Sequence, residues 1–293
     1  MKLSVISDQI SESFEEAFST AKEYGYDSVE IHNAFGKTIE ELEDHEVKEL
    51  KRMLQAYQLS VSNIASTIFF VCPLYDDDQV TGFNESFHVI YGDTETHLRY
   101  LKRACEIADE LECRTVRLFP FRFPENRKPP FGDTEDADRI TEVFLKASDL
   151  AQPYGVTLAV ENCPYSHMPK GEMTLGLIRR INRPNVRLLY DPANSYRAVK
   201  ENVPERYRSW DQLTEAKELA PYIAHVHIKN YHYDEAVQPK PFIHVSSGNG
   251  DIDYVPLLRT LFENGYEGYC SLEPEVGYEE TLESMRWLKT LQY

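Results

Sequence analysis

Positive charge is scarce in this sequence: 31 Lys and Arg stand against 49 Asp and Glu, a formal net charge of −18. Such a chain repels phosphate backbones and anionic lipid surfaces, so neither nucleic acid nor a membrane is an expected partner. Paired cysteines are also lacking. The five, Cys72, Cys105, Cys113, Cys163 and Cys270, are odd in number and widely spaced, with no C-x-x-C pair. That excludes a zinc knuckle or dithiol redox motif and fits a reducing cytoplasm. No apolar run approaches the ~20 residues of a membrane span. The N-terminus, MKLSVISDQISESFEE, meets acidic residues after one short apolar run, so neither export nor membrane insertion is expected. Low-complexity tracts and linkers rich in Gly, Ser or Pro are missing too, and residues 1–293 read as one domain.

What is present is an alternation. Hydrophobic residues make up 42% and charged residues 27%, enough to bury a large core. Short apolar or β-branched runs recur, each followed by a segment of helical periodicity, the pattern of a parallel sheet. The strand candidates are Leu3–Ser7, Ser28–His32, Val61–Ala65, Thr115–Phe119, Thr157–Asn162, Val186–Asp191, Ala224–Lys229 and Tyr269–Glu273. Eight βα units in one series predict an α/β fold, a (β/α)₈ TIM barrel. Three strands follow glycine-containing helix exits, EYGYDSVEIH, QPYGVTLAVEN and ENGYEGYCSLEPE, where glycine takes the left-handed conformation that ends a helix. Three connections, Phe69–Asp93, Phe119–Thr134 and Tyr231–Gly250, are long and fall on the face where barrels carry their sites.

Strand parity then locates ionisable groups. Successive side chains point to opposite faces, so one parity lines the barrel and the other meets the helices. In Thr157–Glu161 the large apolar Leu158 and Val160 share the outer face, which turns Glu161 inward at the strand end. The same reading turns Asp191 inward after Arg187 and Leu189, and His225, His227 and Lys229 inward between Ala224, Val226 and Ile228. On the eighth strand Cys270 and Leu272 pack outside while Ser271 and Glu273 face in. Three carboxylates and an imidazole at one mouth repel one another unless a cation sits among them. Glu161, Asp191, His227 and Glu273 are therefore candidate ligands of one divalent ion, and an oxygen-rich set with one nitrogen suits Mn²⁺, Co²⁺, Mg²⁺ or Zn²⁺. Taken singly, each has a plainer reading: an ion pair with Arg117 or Lys229 for a glutamate, a strand-end turn for Asp191, a hydrogen-bonded interior histidine for His225. The coincidence of four strand ends favours the metal.

In order and spacing, GYDSVEIH, GVTLAVEN, LLYDPANS, HVHIKN, GNGDIDY and GYEGYCSLEPE resemble the xylose isomerase-like barrel superfamily, in particular its sugar phosphate isomerase/epimerase (endonuclease IV-like) group. The likeness covers nearly the whole chain. It implies the same four metal ligands and gives Glu161 and Glu273 a second role as the catalytic acid and base. Two positions depart from the family pattern: Asn194 stands where many relatives carry histidine, and Asn230 where an aspartate is common. A multi-zinc cluster is thus incomplete. His244 has the spacing of a ligand in the repair enzymes and is a candidate extra ligand or substrate contact.

The chemistry so implied begins with a metal-polarised carbonyl and a glutamate that removes the neighbouring proton to give a metal-stabilised enediolate. The second glutamate returns the proton, which makes an isomerase or epimerase of a sugar, ketose or related polyol. Loss of a β-hydroxyl from the same start would make an inosose-type dehydratase instead. An abasic-site endonuclease and a non-catalytic sugar-binding barrel are the remaining alternatives. His32, Asn63, Arg117, Asn194, His225, Lys229 and His244 are the candidate substrate contacts, together with Glu30 and the aromatics Phe69, Phe70, Phe119 and Phe121 of the long loops. The resemblance also implies a homo-oligomer, of a subunit number that no patch in the sequence fixes.

Overall fold

The computed structural model describes residues 1–82, 88–128, 132–201 and 203–291. Two of the long connections expected from the sequence, 69–93 and 119–134, therefore run partly outside the described residues. Eight parallel strands form the sheet: β1 (Lys2–Val5), β2 (Ser28–Ile31), β3 (Ser60–Ile64), β4 (Thr115–Leu118), β5 (Thr157–Glu161), β6 (Val186–Tyr190), β7 (Ile223–Ile228) and β8 (Tyr269–Leu272). Their spatial order is β1-β8-β7-β6-β5-β4-β3-β2. The edge strands β1 and β2 share a bridge between Ile6 and Glu30, which brings the sheet round into a TIM barrel. The eight expected strands are all present, with ends displaced by a residue or two, as hydrogen-bond definitions of strand ends allow.

Helices α1 (Phe14–Glu23), α2 (Asp44–Ala56), α3 (Thr94–Glu110), α4 (Thr134–Ala151), α5 (Gly171–Ile181), α6 (Pro192–Glu201), α7 (Gln212–Leu219), α8 (Tyr254–Glu263) and α9 (Tyr278–Thr290) surround it. The starts of α3, α4 and α7 are set by aspartates whose carboxylates accept an otherwise unpaired backbone N–H: Asp93 from Thr96 at 2.8 Å, Asp133 from Asp136 at 2.9 Å and Asp211 from Thr214 at 2.8 Å. Gly25, Gly155 and Gly265, the three glycines at the expected helix exits, all have positive φ.

Parity holds along the strands. Leu158, Val160, Leu188, Tyr190, Val226, Ile228, Cys270 and Leu272 join the core between sheet and helices, whereas Ala159 and Leu189 are equally buried but lie outside that cluster, within the barrel. Ser4 and Ser62 meet across the interior at 2.7 Å. A register shift between Val29 and Glu30 sets Glu30 opposite Asn63, so two adjacent residues of β3, Ser62 and Asn63, both reach interior partners.

Two connections depart from the simple repeat of strand and helix. The β6 unit carries two helices, α6 and α7, and a hairpin of Asn230–Tyr233 with Phe242–Val245 stands before α8. Asn230 ties the base of that hairpin, donating from Nδ2 to the carbonyls of Ser247 and Ile252 and accepting from the Ile252 N–H. Gly250 has to be glycine here, because a Cβ would stand 2.2 Å from Asn230 Oδ1. All five cysteines are buried and free of disulfides. No helix among the described residues is long and apolar enough to cross a membrane.

Candidate metal centre

Glu161 ends β5, and Asp191 and Glu273 directly follow β6 and β8, while His227 is the penultimate residue of β7. Because neighbouring barrel strands are staggered, these four positions arrive at one depth. One donor atom from each lies within 4.8 Å of the others. Ligands of a single ion at ~2.0–2.2 Å stand roughly 3–4.4 Å apart, so the cluster is close to that spacing.

Two of the donors also lack an aligned hydrogen bond. His227 Nδ1 has Glu273 Oε2 at 3.2 Å, and Asp191 Oδ2 has Lys229 Nζ at 3.1 Å, but neither contact has hydrogen-bond geometry. Buried atoms left in this condition, in a set of three oxygens and one nitrogen, fit a divalent cation.

Lys229 and Arg117 supply positive charge to the cluster. Lys229 donates to Glu273 Oε2 and Glu275 Oε1, each at 2.9 Å, in addition to its contact with Asp191. Arg117 Nη1 lies between the two glutamates, 3.2 Å from Glu161 Oε2 and 3.4 Å from Glu273 Oε1. Burial lifts the Glu161 carboxyl to about 7 against the pull of Arg117. At Glu273 burial acts in the same direction, but Lys229, His227 and Arg117 outweigh it and hold the carboxyl well below its usual range. Burial raises Asp191, with Lys229 opposing. Two neighbouring glutamates are thus driven apart in acidity by their surroundings, a feature of sites that move protons.

Behind the donors lies a buried carboxylate. Glu30 places Oε1 3.0 Å from His227 Nε2 and Oε2 2.8 Å from His225 Nε2, and Asn63 donates to its Oε1 at 2.7 Å. A carboxylate only accepts, so Nε2 of each neutral ring carries the proton, and the lone pair of His227 Nδ1 faces the cluster. Glu30, His225 and His227 are also close enough to be considered as ligands themselves, but N···O separations of 2.8 and 3.0 Å are those of hydrogen bonds.

The structure places the expected substrate contacts at different points of the barrel. Arg117, Asn194 and Lys229 lie at the donor cluster. Asn194 bridges it, with its backbone N–H donating to Asp191 Oδ1 at 2.9 Å and Nδ2 to Glu161 Oε1 at 3.1 Å. Asn63 and His225 belong instead to Glu30, one layer deeper. His32 is held by Asp8, Nδ1 to Oδ2 at 3.0 Å. His244 is on the hairpin, 3.5 Å from Glu275 Oε2 and edge-on to Tyr231, and is not among the four clustered donors. Of the loop aromatics, Phe69 and Phe121 stack in the core at 4.8 Å, while Phe70 and Phe119 form a separate small cluster with Val71 and Cys163.

Sequence reasoning offered Glu30 as a substrate contact, without partners, and missed Glu275. Glu30 had the inward parity, but the two histidines it holds are 195 and 197 residues away. Glu275 lies in the EPE turn beyond β8, where parity no longer applies.

A family model of xylose isomerase-like TIM barrels matches residues 18–291. An inosose isomerase of Bacillus velezensis is 24% identical over 260 residues, which span 86% of this chain and 80% of that one. An inosose dehydratase of Yersinia enterocolitica is 27% identical over 183 residues, 55% of this chain and 57% of its own. The crystal structure of the IOLI protein with a bound zinc atom superposes with a TM-score of 0.72 at 20% identity, covering 99% of this chain and 96% of that one. With the family match spanning nearly its whole length, the chain belongs to the xylose isomerase-like TIM barrel family.

Proposed function

We propose that this protein is a divalent-metal-dependent isomerase or epimerase of a sugar, ketose or related polyol, with Glu161, Asp191, His227 and Glu273 holding the ion. The observation that carries this reading is the pair of glutamates, Glu161 buried and Glu273 partly buried, on either side of Arg117 Nη1, each also one of the four clustered donors. Bound there, Mn²⁺, Co²⁺, Mg²⁺ or Zn²⁺ would polarise a substrate carbonyl and offset the negative charge that develops on its oxygen. Glu161 and Glu273 take and return the proton. Arg117 fixes the separation of the two carboxylates, and Asn194 orients Glu161 and Asp191 together. Lys229, bonded to Glu273 and close to Asp191, is positioned to donate to a substrate hydroxyl beside them. The reading takes residues 1–293 as one domain acting in the cytoplasm on a small molecule.

A lyase of the inosose dehydratase kind uses the same proton abstraction followed by loss of a β-hydroxyl, and the similarity to inosose dehydratases supports it as the second reading. The acidic chain and Asn194 in place of a further histidine ligand weigh against an abasic-site endonuclease.

The deciding experiment is incubation of metal-loaded protein with ketoses and inososes in D₂O, followed by mass spectrometry. Incorporation of one deuterium into a substrate and its isomer is the expected result. A product lighter by one water assigns the lyase, and a complete lack of exchange and turnover across the panel overturns both readings.

A further inference from the structure

Four buried oxygen atoms beyond β1 and β2 have no hydrogen-bond partner among the described residues: Ser7 Oγ, Asp8 Oδ1, Asn33 Oδ1 and Glu40 Oε2. Ser7 and Asp8 belong to the turn Ser7–Gln9 after β1, Asn33 stands two residues past β2, and Glu40 lies in the following turn, Ile39–Glu41. Three of the four side chains are fixed through their other polar atom. Asp8 Oδ2 accepts from Asn33 Nδ2 at 2.7 Å and lies 3.0 Å from His32 Nδ1. A carboxylate only accepts, so Asn33 must turn its Nδ2 to Asp8 and keep its amide oxygen for another partner. Glu40 Oε1 accepts from the Thr67 N–H at 2.8 Å and from Thr67 Oγ1 at 2.9 Å, just past β3.

The metal donors stand at the ends of β5 to β8, and these oxygens stand at the same end of the barrel, on the β1 to β3 side. Both flanks of this wall join the donor cluster. On one, Gln9 Oε1 accepts the N–H of Glu275, the partner of Lys229, at 2.9 Å. On the other, Arg117 donates to the carbonyls of Ala65 and Ser66, next to Thr67, and the charge of Glu40 acts on Arg117. Asp8 and Glu40 are in neither group of side chains close enough to share an ion, so hydrogen-bond donors and not a second metal would complete them. Asp8 Oδ1 and Asn33 Oδ1 call for donors, and Ser7 Oγ can give or take a proton. Burial raises the Glu40 carboxyl, with the bonds from Thr67 opposing. A sugar hydroxyl both donates and accepts, so it completes Glu40 Oε2 with or without a proton there. A phosphate brings strong acceptor oxygens and negative charge to a wall that already carries two acids. Buried polar atoms left open in this way are the mark of an absent partner.

We infer that Ser7, Asp8, Asn33 and Glu40 form a hydroxyl-binding subsite, which holds the uncharged, unphosphorylated end of the substrate while the metal donors hold its reacting end. This deepens the isomerase or epimerase reading of the same mouth and rests on it for the position of the reacting carbon.

The test is calorimetric titration of the metal-loaded full chain with D-fructose, D-tagatose, 2-keto-myo-inositol and D-fructose 6-phosphate. At least one of the three neutral sugars should bind about tenfold or more tightly than the phosphate. Asp8→Asn and Glu40→Gln each keep an oxygen for the existing partners, His32 and Asn33 or Thr67, and put an amide NH₂ where the open oxygen stands. Each should weaken that neutral sugar by about tenfold and narrow its lead over the phosphate to less than about threefold, because an acceptor and a negative charge are lost together. Bound metal and circular dichroism are measured in each variant. If Glu40→Gln disturbs either, the partly exposed Asp8→Asn decides.

If ordered water completes these oxygens and the two acids serve only to fix their neighbours, both amide variants will bind the neutral sugar as the wild type does, and the inference falls. It falls equally if none of the neutral sugars binds or if the phosphate binds as tightly. Deuterium exchange is a separate readout. Neutral-sugar binding that both variants weaken, without exchange in the wild type, would sink the isomerase reading and leave the hydroxyl subsite standing.

Discussion

Glu30 Oε1 lies 3.0 Å from His227 Nε2, so a wholly buried carboxylate fixes the ring whose other nitrogen faces the donor cluster. The contact fixes both tautomer and ring orientation before any ion binds. Glu30→Gln, which keeps the shape but loses the charge, should weaken metal affinity about 10- to 100-fold in a chelator competition while leaving the far-ultraviolet circular dichroism unchanged. Affinity within threefold of the wild type would remove Glu30 from the metal centre.

Proton transfer assigned to Glu161 and Glu273 predicts that each Gln variant loses exchange by roughly 10²- to 10⁴-fold, the usual yield of a positioned acid or base. Because each residue is also a candidate ligand, metal content should be measured in parallel and exchange compared at saturating metal. If Glu161→Gln and Glu273→Gln both exchange at the wild-type rate with metal bound, neither carboxylate moves the proton.

Removal of metal should leave the barrel folded. Arg117 and Lys229 already balance most of the charge of Glu161, Asp191 and Glu273, so chelation is expected to abolish exchange yet preserve secondary structure. An ion at a hundredfold excess over its dissociation constant adds about 2.7 kcal/mol of stability. For a chain of this size that is a rise in Tm of several degrees. Unfolding on chelation would contradict the charge-balancing role of the two cations.

His97 predicts an acid-sensitive loop. It is fully buried, and its Nδ1 accepts the Phe69 N–H at 3.0 Å, a bond that a protonated ring cannot accept. Burial lowers its pKa to about 4 from the ordinary 6.5. Between these values the unfolded chain binds a proton that the folded chain does not, so this contribution to stability is complete above about pH 6.5 and is lost as pH falls through 4. The upper bound is on the order of 3 kcal/mol. His97→Gln, whose amide oxygen can still accept from Phe69, should flatten the fall of Tm between pH 6.5 and 4, and an unchanged slope would show that other groups set the acid sensitivity.

The barrel and the inward direction of Glu161, Asp191, His227 and Glu273 were legible in the sequence because both depend on local rules. Alternating side-chain direction needs only neighbouring residues, so Leu158 and Val160 outside were enough to turn Glu161 in, and Cys270 and Leu272 enough to turn Glu273 in. The glycine exits at Gly25, Gly155 and Gly265 were equally local, since positive φ is a property of one residue.

Depth was not legible. Which inward residues share a layer depends on strand stagger and on irregularities such as the shift between Val29 and Glu30, and these are set by closure of the whole sheet. That closure put Asn63 and His225 on Glu30 instead of at the mouth. It placed Arg117 between two glutamates from different strands. The alternation along the chain was enough for the kind of barrel and for which strand-end side chains turn inward. Only the tertiary structure decided which charges stand beside them, because electrostatic partners are chosen by distance in space, and here the chain joins residues nearly two hundred positions apart.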